Sequence, residues 1–384
     1  MRNLRIVDLI PVFLLALFVA VAAHAQDEKK ARPTERRESN QDRLPQLLKR
    51  FPDADANKDG TLTEEEAIAY RSKNQKRETT TDRKNQSPNQ AKNSKEAAAG
   101  RGQPTQKDVA YGTHERNVLD FYQAKSDKPT PLIIYIHGGG FVGGDKNSIN
   151  GGMLKAANEA GISMASLHYR FVDGTKVIFP TPQHDCARAL QFLRSKATEW
   201  NIDPKRIACY GGSAGAGISM WLGFHDDLAD PNSTDPIARQ STRIVAIGTN
   251  GGQGTYDPIK IKELIGGRAW EHPSIFKVYG VTSAEEALRP TPERQKLYDE
   301  GSAITHLTKD DPPLYMTYSE ADIVPPTDSR PGQFIHHPNF GKQLKKSMDE
   351  LGIKNVYVHT ADAKDRNPQN EMLEFFQQEF AKVK

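Results

Sequence analysis

A glycine-rich turn, 211–215, stands between a short apolar strand (206–210) and an apolar helix (218–222) in this 384-residue chain. A serine on a sharp strand-to-helix turn is held in strained backbone dihedrals, and its neighbours must be small so that the two elements can pack closely. The residues around Ser213 meet that need. The pattern predicts an exposed Ser213 hydroxyl and an Ala214 N–H that faces a developing oxyanion. A phosphate-binding loop or an ordinary tight turn is the alternative interpretation.

A second glycine-rich motif, His137-Gly138-Gly139-Gly140-Phe141, follows the β-branched run 131–136. Such runs are typical of a strand that is buried on both faces. Three glycines directly after a buried strand leave backbone N–H groups free to face a ligand, although a flexible loop is the alternative. Because the two motifs occur in this order, about one βαβ unit plus a strand apart, they together predict an oxyanion hole, a nucleophile elbow and serine-dependent acyl chemistry.

From about residue 108 to residue 384 the chain resembles an α/β-hydrolase of the esterase/lipase group related to hormone-sensitive lipase. Besides the two glycine motifs, the resemblance is carried by Tyr169-Arg170 and by the segments 203–207, 302–307 and 311–313. It implies an α/β fold with a mostly parallel, doubly wound sheet. It also implies a serine esterase or lipase that hydrolyses carboxylic esters through an acyl-serine without a catalytic cofactor. Gly139, Gly140 and Ala214 are the implied oxyanion donors.

The remaining members of a triad are expected in the order serine, then aspartate or glutamate, then histidine. The run 314–318 predicts the next core strand, and Ser319-Glu320-Ala321-Asp322 follows it. Asp322 is predicted to orient the histidine and stabilise its charge. Glu320 is the second choice, and an ordinary loop aspartate is the alternative interpretation of Asp322.

The general base is the part of the pattern that the sequence leaves open. The loop after the last predicted strand, 360–366, contains no histidine, and neither its lysine nor its aspartates are an obvious replacement. His359 at the strand end is one possibility. His336 or His337 is another, because their loop leaves the same end of the sheet as the predicted acid. If none serves, the competing hypothesis is a catalytically impaired, hydrolase-fold binding protein.

Residues 55–66 match the twelve-residue loop of an EF-hand, with Gly60 at the sharp turn. The predicted Ca²⁺ ligands are Asp55, Asn57, Asp59, Thr61 and Glu66. A solvated acidic turn is the alternative interpretation. No second loop is evident in the sequence, so weak binding with a structural or tethering role is expected.

The N-terminal region predicts export. Residues 1–25 combine early arginines, a short apolar run and an Ala-His-Ala cleavage signal, which is typical of a secretory signal peptide, with an uncleaved anchor as the alternative. The expected order is then a flexible segment (26–42), a small helical EF-hand module (43–70), a disordered basic linker (71–107) and the hydrolase domain (108–384). The mature protein is expected to be secreted or periplasmic, with no later membrane span.

Composition excludes several other classes. With only Cys186 and Cys209 the chain is not a disulfide scaffold, and two buried free thiols are favoured over one bond between them. The net charge of +3 is small and the excess of basic over acidic residues lies in the linker, so no nucleic-acid-binding face is predicted. The expected partner is a small ester. Acetylated carbohydrate, short lipid and aryl esters all stay open, as does the oligomeric state.

Overall fold

The computed structural model describes residues 102–384, together with Leu48, Asp53, 55–63 and Glu66. The signal peptide, the flexible segment, the helices predicted beside the EF-hand loop and nearly all of the linker lie outside the described residues. The chain divides into two units, Met1–Gln86 and Ser87–Lys384. No helix within the described ranges has the length and hydrophobicity that crossing a bilayer requires.

The second unit is built on one eight-stranded sheet, which confirms the predicted mostly parallel α/β architecture. The sheet has the order β1-β2-β4-β3-β5-β6-β7-β8; its two pairings that involve β2 are antiparallel, and all the others are parallel. The strands are β1 Gln106–Ala110, β2 Val118–Tyr122, β3 Thr130–Ile136, β4 Ser163–Leu167, β5 Ile202–Gly212, β6 Ala246–Asn250, β7 Leu314–Tyr318 and β8 Asn355–His359.

Helices cover both faces of this sheet. They are α1 Gly151–Glu159, α2 Thr181–Ser195, α3 Ala214–Phe224, α4 Pro258–Ile265, α5 Pro273–Val278, α6 Ala284–Leu288, α7 Pro292–Gly301, α8 Asn339–Glu350 and α9 Pro368–Lys382. Successive side chains of a strand point to opposite faces, and this alternation separates the apolar core into two clusters. On β3, Ile134 joins the cluster that includes α2, α3 and α8, whereas Ile133 joins the one that includes α1 and α9.

The segment between β6 and β7 contributes four helices, α4 to α7, to the α3 side of the sheet. Its apolar side chains, such as Trp270 and Tyr298, belong to the larger core cluster. The indole N–H of Trp221 on α3 donates to the carbonyl of Glu300, with 2.9 Å between the two heavy atoms. This segment is therefore packed onto the helix that follows Ser213.

Cys186 on α2 and Cys209 on β5 are both fully buried and unpaired, which confirms the free-thiol prediction. Burial raises the pKa of the Cys209 thiol to about 12, so it stays protonated and chemically inert at neutral pH.

Candidate active site

Ser213 sits on the turn between β5 and α3 in a strained conformation, with φ +52° and ψ −120°. Its N–H donates to the carbonyl of Asn250 at the end of β6, across 2.9 Å. A Cβ on Gly211 or on Gly215 would overlap the carbonyl oxygen of Ile136, so both positions require glycine. The elbow is thus pressed against the end of β3, as the sequence predicts for a strand–turn–helix nucleophile.

His336 is the histidine that the fold brings to this serine. Its Nε2 lies 2.8 Å from Ser213 Oγ. His336 reaches the site from the loop between β7 and α8, and a Cβ on Gly251 would lie 3.3 Å from the histidine Cβ, so the ring packs beside the end of β6. Of the three histidines that the sequence left open, His336 is the one that contacts Ser213.

The other two histidines bind backbone carbonyls. His337 is buried, and its Nε2 lies 2.9 Å from the carbonyl oxygen of Ile323. His359 Nε2 lies 2.8 Å from the carbonyl oxygen of Glu320. Both rings therefore fasten the loop that follows β7, and that loop carries the carboxylates discussed next.

Glu320, the second choice from the sequence, lies beside His336. Its Oε1 is 3.7 Å from His336 Nδ1, and its Oε2 accepts the backbone N–H of His336 across 3.0 Å. An acid at Nδ1 favours the tautomer in which Nδ1 carries the proton, so Nε2 is left to accept the Ser213 hydroxyl. The same glutamate thus holds both the ring and the main chain of its histidine.

Asp322 is placed differently from the prediction. Its carboxylate is 2.5 Å from Lys342 Nζ on α8, and this hydrogen bond lowers the pKa of Asp322. The physical reason is its distance from the strand end. Glu320 stands two residues beyond β7 at the sheet edge, whereas Asp322 has already turned toward α8. The structure therefore places Glu320, not Asp322, beside the histidine.

The triple glycine after β3 lies against the elbow. A Cβ on Gly138 would come within 2.7 Å of the Gly212 carbonyl oxygen. Gly139 and Gly140 have φ of +108° and +59°, in the left-handed region that favours glycine. Within residues 102–384 their N–H groups donate no hydrogen bond, which leaves them available to a ligand. Ala214, the first residue of α3, adds a further free helix N–H.

His137 supports the glycine-rich loop that follows β3. It is fully buried, stacks on Tyr169 with 4.4 Å between ring centroids, and places Nδ1 2.8 Å from the Gly138 carbonyl oxygen. Burial lowers the pKa of His137 to about 4, so the ring is neutral at pH 7. The Tyr169 hydroxyl donates to the His137 carbonyl across 2.9 Å. Sequence reasoning treated His137 as part of a motif and missed this bracing role.

A cleft of about 470 Å³ opens over Ser213. Its walls come from the segments at the carboxyl ends of β3, β5, β6, β7 and β8, where open α/β sheets bind ligands. Asn250 and Thr317 add polar groups to the wall, and they are joined by a 2.5 Å hydrogen bond. The side chains of Ser213, His336 and Glu320 all line this one space.

The first unit carries a separate candidate site at residues 55–66. The Gly60 N–H donates to Asp55 Oδ2 across 2.8 Å, and Gly60 has φ +82°. Asp55 Oδ1 is buried and has no hydrogen-bond partner among the described residues. The Asp59 N–H donates to Asn57 Oδ1, and the Thr61 N–H donates to Asp59 Oδ1. These hydrogen bonds hold the oxygens of the loop close together, and one buried oxygen has no partner within the part of the chain that the structure describes.

Glu66 closes this loop. Its Oε2 accepts the Thr63 N–H across 3.1 Å and the Thr63 hydroxyl across 2.8 Å, while its Oε1 lies 3.4 Å from the Asn57 N–H. These hydrogen bonds lower the pKa of Glu66, led by that from the Thr63 N–H. An all-oxygen donor set with three carboxylates, those of Asp55, Asp59 and Glu66, fits a hard cation such as Ca²⁺.

The eight-stranded sheet, with a serine–histidine pair on the turn after β5, defines the class of the second unit as an α/β-hydrolase. The family model described as BD-FAE matches residues 119–331, slightly more than half of the chain. The chain belongs to this family of α/β-hydrolase esterases. The match covers both glycine motifs and the loop with Glu320 and Asp322, and it ends five residues before His336.

Curated relatives carry esterase names. The chain is 24% identical over 229 residues to a probable carboxylic ester hydrolase, LipM, of Mycobacterium tuberculosis, across 59% of this chain and 50% of that protein. It is 27% identical over 252 residues to a probable isoprenylcysteine alpha-carbonyl methylesterase of Arabidopsis thaliana, across 64% of this chain and 48% of that protein. The chain thus spans about half the length of these relatives.

Solved structures share the fold. A truncated form of carbohydrate esterase from gut microbiota has a TM-score of 0.55 at 21% identity, covering 72% of this chain and 96% of that one. An acetyl ester-xyloside bifunctional hydrolase from Caldicellulosiruptor lactoaceticus has a TM-score of 0.53 at 21% identity, covering 70% and 89%.

Proposed function

We propose that this chain hydrolyses carboxylic esters through an acyl-serine intermediate formed on Ser213. The observation that carries the proposal is the 2.8 Å separation of His336 Nε2 and Ser213 Oγ, with Glu320 beside Nδ1 of the same ring. The names of the curated relatives, a carboxylic ester hydrolase and a methylesterase, support the reaction class.

The reaction runs in two halves. His336 Nε2 takes the Ser213 proton as Oγ attacks the ester carbonyl, and it then gives that proton to the departing alkoxide, which leaves as the alcohol. Water attacks the acyl-serine in the second half, with His336 again accepting and returning the proton, and the carboxylic acid is released. Glu320 stabilises the imidazolium that forms in both halves.

The oxyanion is proposed to bind the N–H groups of Gly139, Gly140 and Ala214. Two of these belong to the left-handed glycines that lie against the elbow, and the third opens α3. Donors fixed in place before the reaction stabilise the developing charge without reorganisation, and a single such donor is typically worth about 10²–10³ in kcat.

The substrate is proposed to be a short-acyl ester of a polar alcohol. The cleft of about 470 Å³ is within the usual range for small-molecule sites, and Asn250 and Thr317 offer hydrogen bonds to an alcohol that carries hydroxyl groups. Relative kcat/KM for acetyl, butyryl and octanoyl nitrophenyl esters tests the acyl preference. A preference for octanoyl would contradict it.

The test of the reaction uses a nitrophenyl ester together with a fluorophosphonate probe. Ser213→Ala should abolish labelling and turnover, and His336→Ala should lower kcat about 10³-fold or more because the base is lost. His337→Ala and His359→Ala are matched controls from the same cluster and should keep more than a tenth of kcat. Wild-type protein that neither turns over ester nor labels at Ser213 would refute the proposed reaction.

The same assay separates the competing hypothesis, a catalytically impaired binding protein. That hypothesis depends on the absence of a histidine after the last strand. In the proposed mechanism His336, 2.8 Å from Ser213 Oγ, acts as the base from a different loop.

We also propose that residues 55–66 bind Ca²⁺ through Asp55, Asn57, Asp59, Thr61 and Glu66. The unsatisfied, buried Oδ1 of Asp55 supports this proposal. A single EF-hand loop is expected to bind with a Kd of about 10⁻⁴–10⁻³ M. Titration calorimetry should show heat that Glu66→Gln abolishes and that Glu65→Gln, the adjacent carboxylate, leaves in place. Equal heats from both variants would contradict the ligand set.

Export is proposed from the N-terminal sequence alone. Cleavage at the Ala-His-Ala signal would leave Gln26 as the first residue. N-terminal sequencing of protein recovered outside the cytoplasm tests this. A retained N-terminal methionine in that fraction would contradict cleavage.

A further inference from the structure

We propose that His225, Glu300 and His306 form a zinc-binding site at the opposite end of α3 from Ser213. Their candidate ligand atoms all lie within 4.8 Å of one another. His225 follows the last residue of α3, Glu300 lies in the last turn of α7, and His306 follows the short 3₁₀ turn Ala303–Thr305. Three separate segments therefore converge on one point.

Small side-chain movements would bring the three ligand atoms, now within 4.8 Å of one another, to tetrahedral spacing. His225 Nε2 is 3.4 Å from Glu300 Oε1, and His306 Nε2 is 4.0 Å from Glu300 Oε2. Around a tetrahedral Zn²⁺ with bonds of about 2.0–2.1 Å, ligand atoms lie roughly 3.3 Å apart. The first pair already has this spacing. The second needs a movement of under about 1 Å, which side chains exposed by 20% and 33% can make.

Neighbouring groups orient the first ligand. His225 Nδ1 lies 2.9 Å from the Asp226 carbonyl oxygen, which can accept a hydrogen bond from that nitrogen and leave Nε2, on the Glu300 side of the ring, to bind a metal ion. A hydrogen bond from the second ring nitrogen to a carbonyl is the usual companion of a metal-binding histidine. Trp221 holds the ring from the side, with centroids 4.3 Å apart.

Glu300 and His306 are also held in place. Trp221 donates to the Glu300 carbonyl, which fixes the backbone of the carboxylate ligand. His306 Nε2 lies 3.0 Å from that same carbonyl. Metal binding would replace this hydrogen bond with a bond from Nε2 to the ion.

The donor set selects the metal. Two imidazoles and one carboxylate are typical of zinc sites with three protein ligands, whereas Ca²⁺ and Mg²⁺ prefer oxygen donors throughout. The position also favours a cation, since the carboxyl end of α3 carries the negative end of the helix dipole. Water from solvent would complete the coordination, because all three side chains are partly exposed.

The expected effect is stabilisation rather than catalysis. The 11 residues of α3 separate the site from Ser213 by about 16 Å at 1.5 Å per residue. A bound ion would fasten the far end of the nucleophile helix to the segment between β6 and β7. A ligand that binds the folded state alone raises Tm, by about 5 °C for a domain of this size when its concentration is 100 times Kd.

The test measures Zn²⁺ binding by calorimetry and Tm by thermal shift, on the full chain with saturating Ca²⁺. Wild type should show the Tm rise, and His225→Gln and His306→Gln should each weaken binding at least tenfold, since loss of even an outer partner costs about that much. Three variants should keep the wild-type response: His184→Gln, a nearby histidine outside the cluster, His336→Ala at the candidate active site, and Glu66→Gln in the calcium loop.

Two results would overturn the site: no zinc-dependent Tm rise in wild type, or an undiminished rise in both ligand variants. Tm in EDTA reports whether each variant folds, and Glu300→Gln replaces any that does not. Because the readouts are binding and Tm, failure of the zinc site leaves the proposed ester hydrolysis unaffected, and failure of ester hydrolysis leaves the zinc site standing.

Discussion

Glu320→Gln and Asp322→Asn form a matched pair that decides which carboxylate serves the histidine. Each substitution replaces a carboxylate with its amide, two residues apart on one loop. Glu320 lies 3.7 Å from His336 Nδ1, whereas Asp322 binds Lys342. The two hypotheses therefore predict opposite kinetic outcomes from nearly identical perturbations.

The magnitude follows from the distance. At 3.7 Å an imidazolium and a carboxylate attract by about 4.5 kcal/mol in an effective dielectric of roughly 20. Both side chains are about one third exposed, and solvent screening roughly halves this to about 2 kcal/mol. That energy corresponds to about a 30-fold loss in kcat. The Glu320→Gln amide would also weaken control of the ring tautomer, which brings the expected loss to between about 30-fold and about 10³-fold.

The control should change little. The Asp322–Lys342 pair is almost half exposed, and exposed ion pairs contribute about 0–1 kcal/mol to stability. Asp322→Asn should therefore keep kcat within about threefold of wild type and lower Tm by at most a few degrees.

The assay is steady-state hydrolysis of a nitrophenyl ester, with kcat and KM measured separately from pH 5 to 9. Loss of Glu320 should lower kcat with little change in KM, because the imidazolium exists only along the reaction path. Full activity in Glu320→Gln together with a large loss in Asp322→Asn would refute the assignment drawn from the structure.

Two further predictions concern stability. Gly215→Ala places a methyl group against the Ile136 carbonyl and should lower stability by about 3 kcal/mol or more. Gly352→Ala, at φ +72° with no atom within 4 Å of its Cβ, should cost only about 1–2 kcal/mol. Thermal denaturation of both variants tests this order. Burial raises the pKa of the Asp311 carboxyl to about 6, so the folded state favours its protonated form. Wild type therefore loses stability as the pH rises through 6. The stability of Asp311→Asn relative to wild type, measured by urea denaturation, should therefore increase by about 1–2 kcal/mol between pH 5 and pH 8. A stability difference that stays constant with pH would contradict this cause.

The sequence predicted the parts of the site that depend on local backbone geometry. Small residues around Ser213 and the glycines after β3 are required because the chain turns sharply at the end of a buried strand, and that requirement is written in neighbouring residues. The strand β7 has the bounds predicted from its apolar run. The mostly parallel sheet was expected from the family resemblance that the two glycine motifs carry.

The choice of acid and base was not readable in this way. Glu320 and Asp322 are both carboxylates on one loop, and His336 and His337 are adjacent, so composition and order do not distinguish them. Their side chains lie apart because Asp322 and His337 have other partners. Asp322 binds Lys342, and the His337 ring contacts the Ile323 carbonyl. The only indication in the sequence that this segment supplies the histidine was the length of the loop after β7, which ends beside the carboxyl edge of the sheet.

By itself, then, the sequence determined the strand–turn–helix around Ser213 and the glycine turn after β3, since both are fixed by short-range sterics and hydrophobic periodicity. Tertiary structure alone decided that His336 approaches Ser213 from the loop before α8, and that Glu320 lies beside it. It also decided that His225, Glu300 and His306 meet. These contacts join residues as many as 123 positions apart, and packing of the intervening chain, rather than any local pattern, sets their distances.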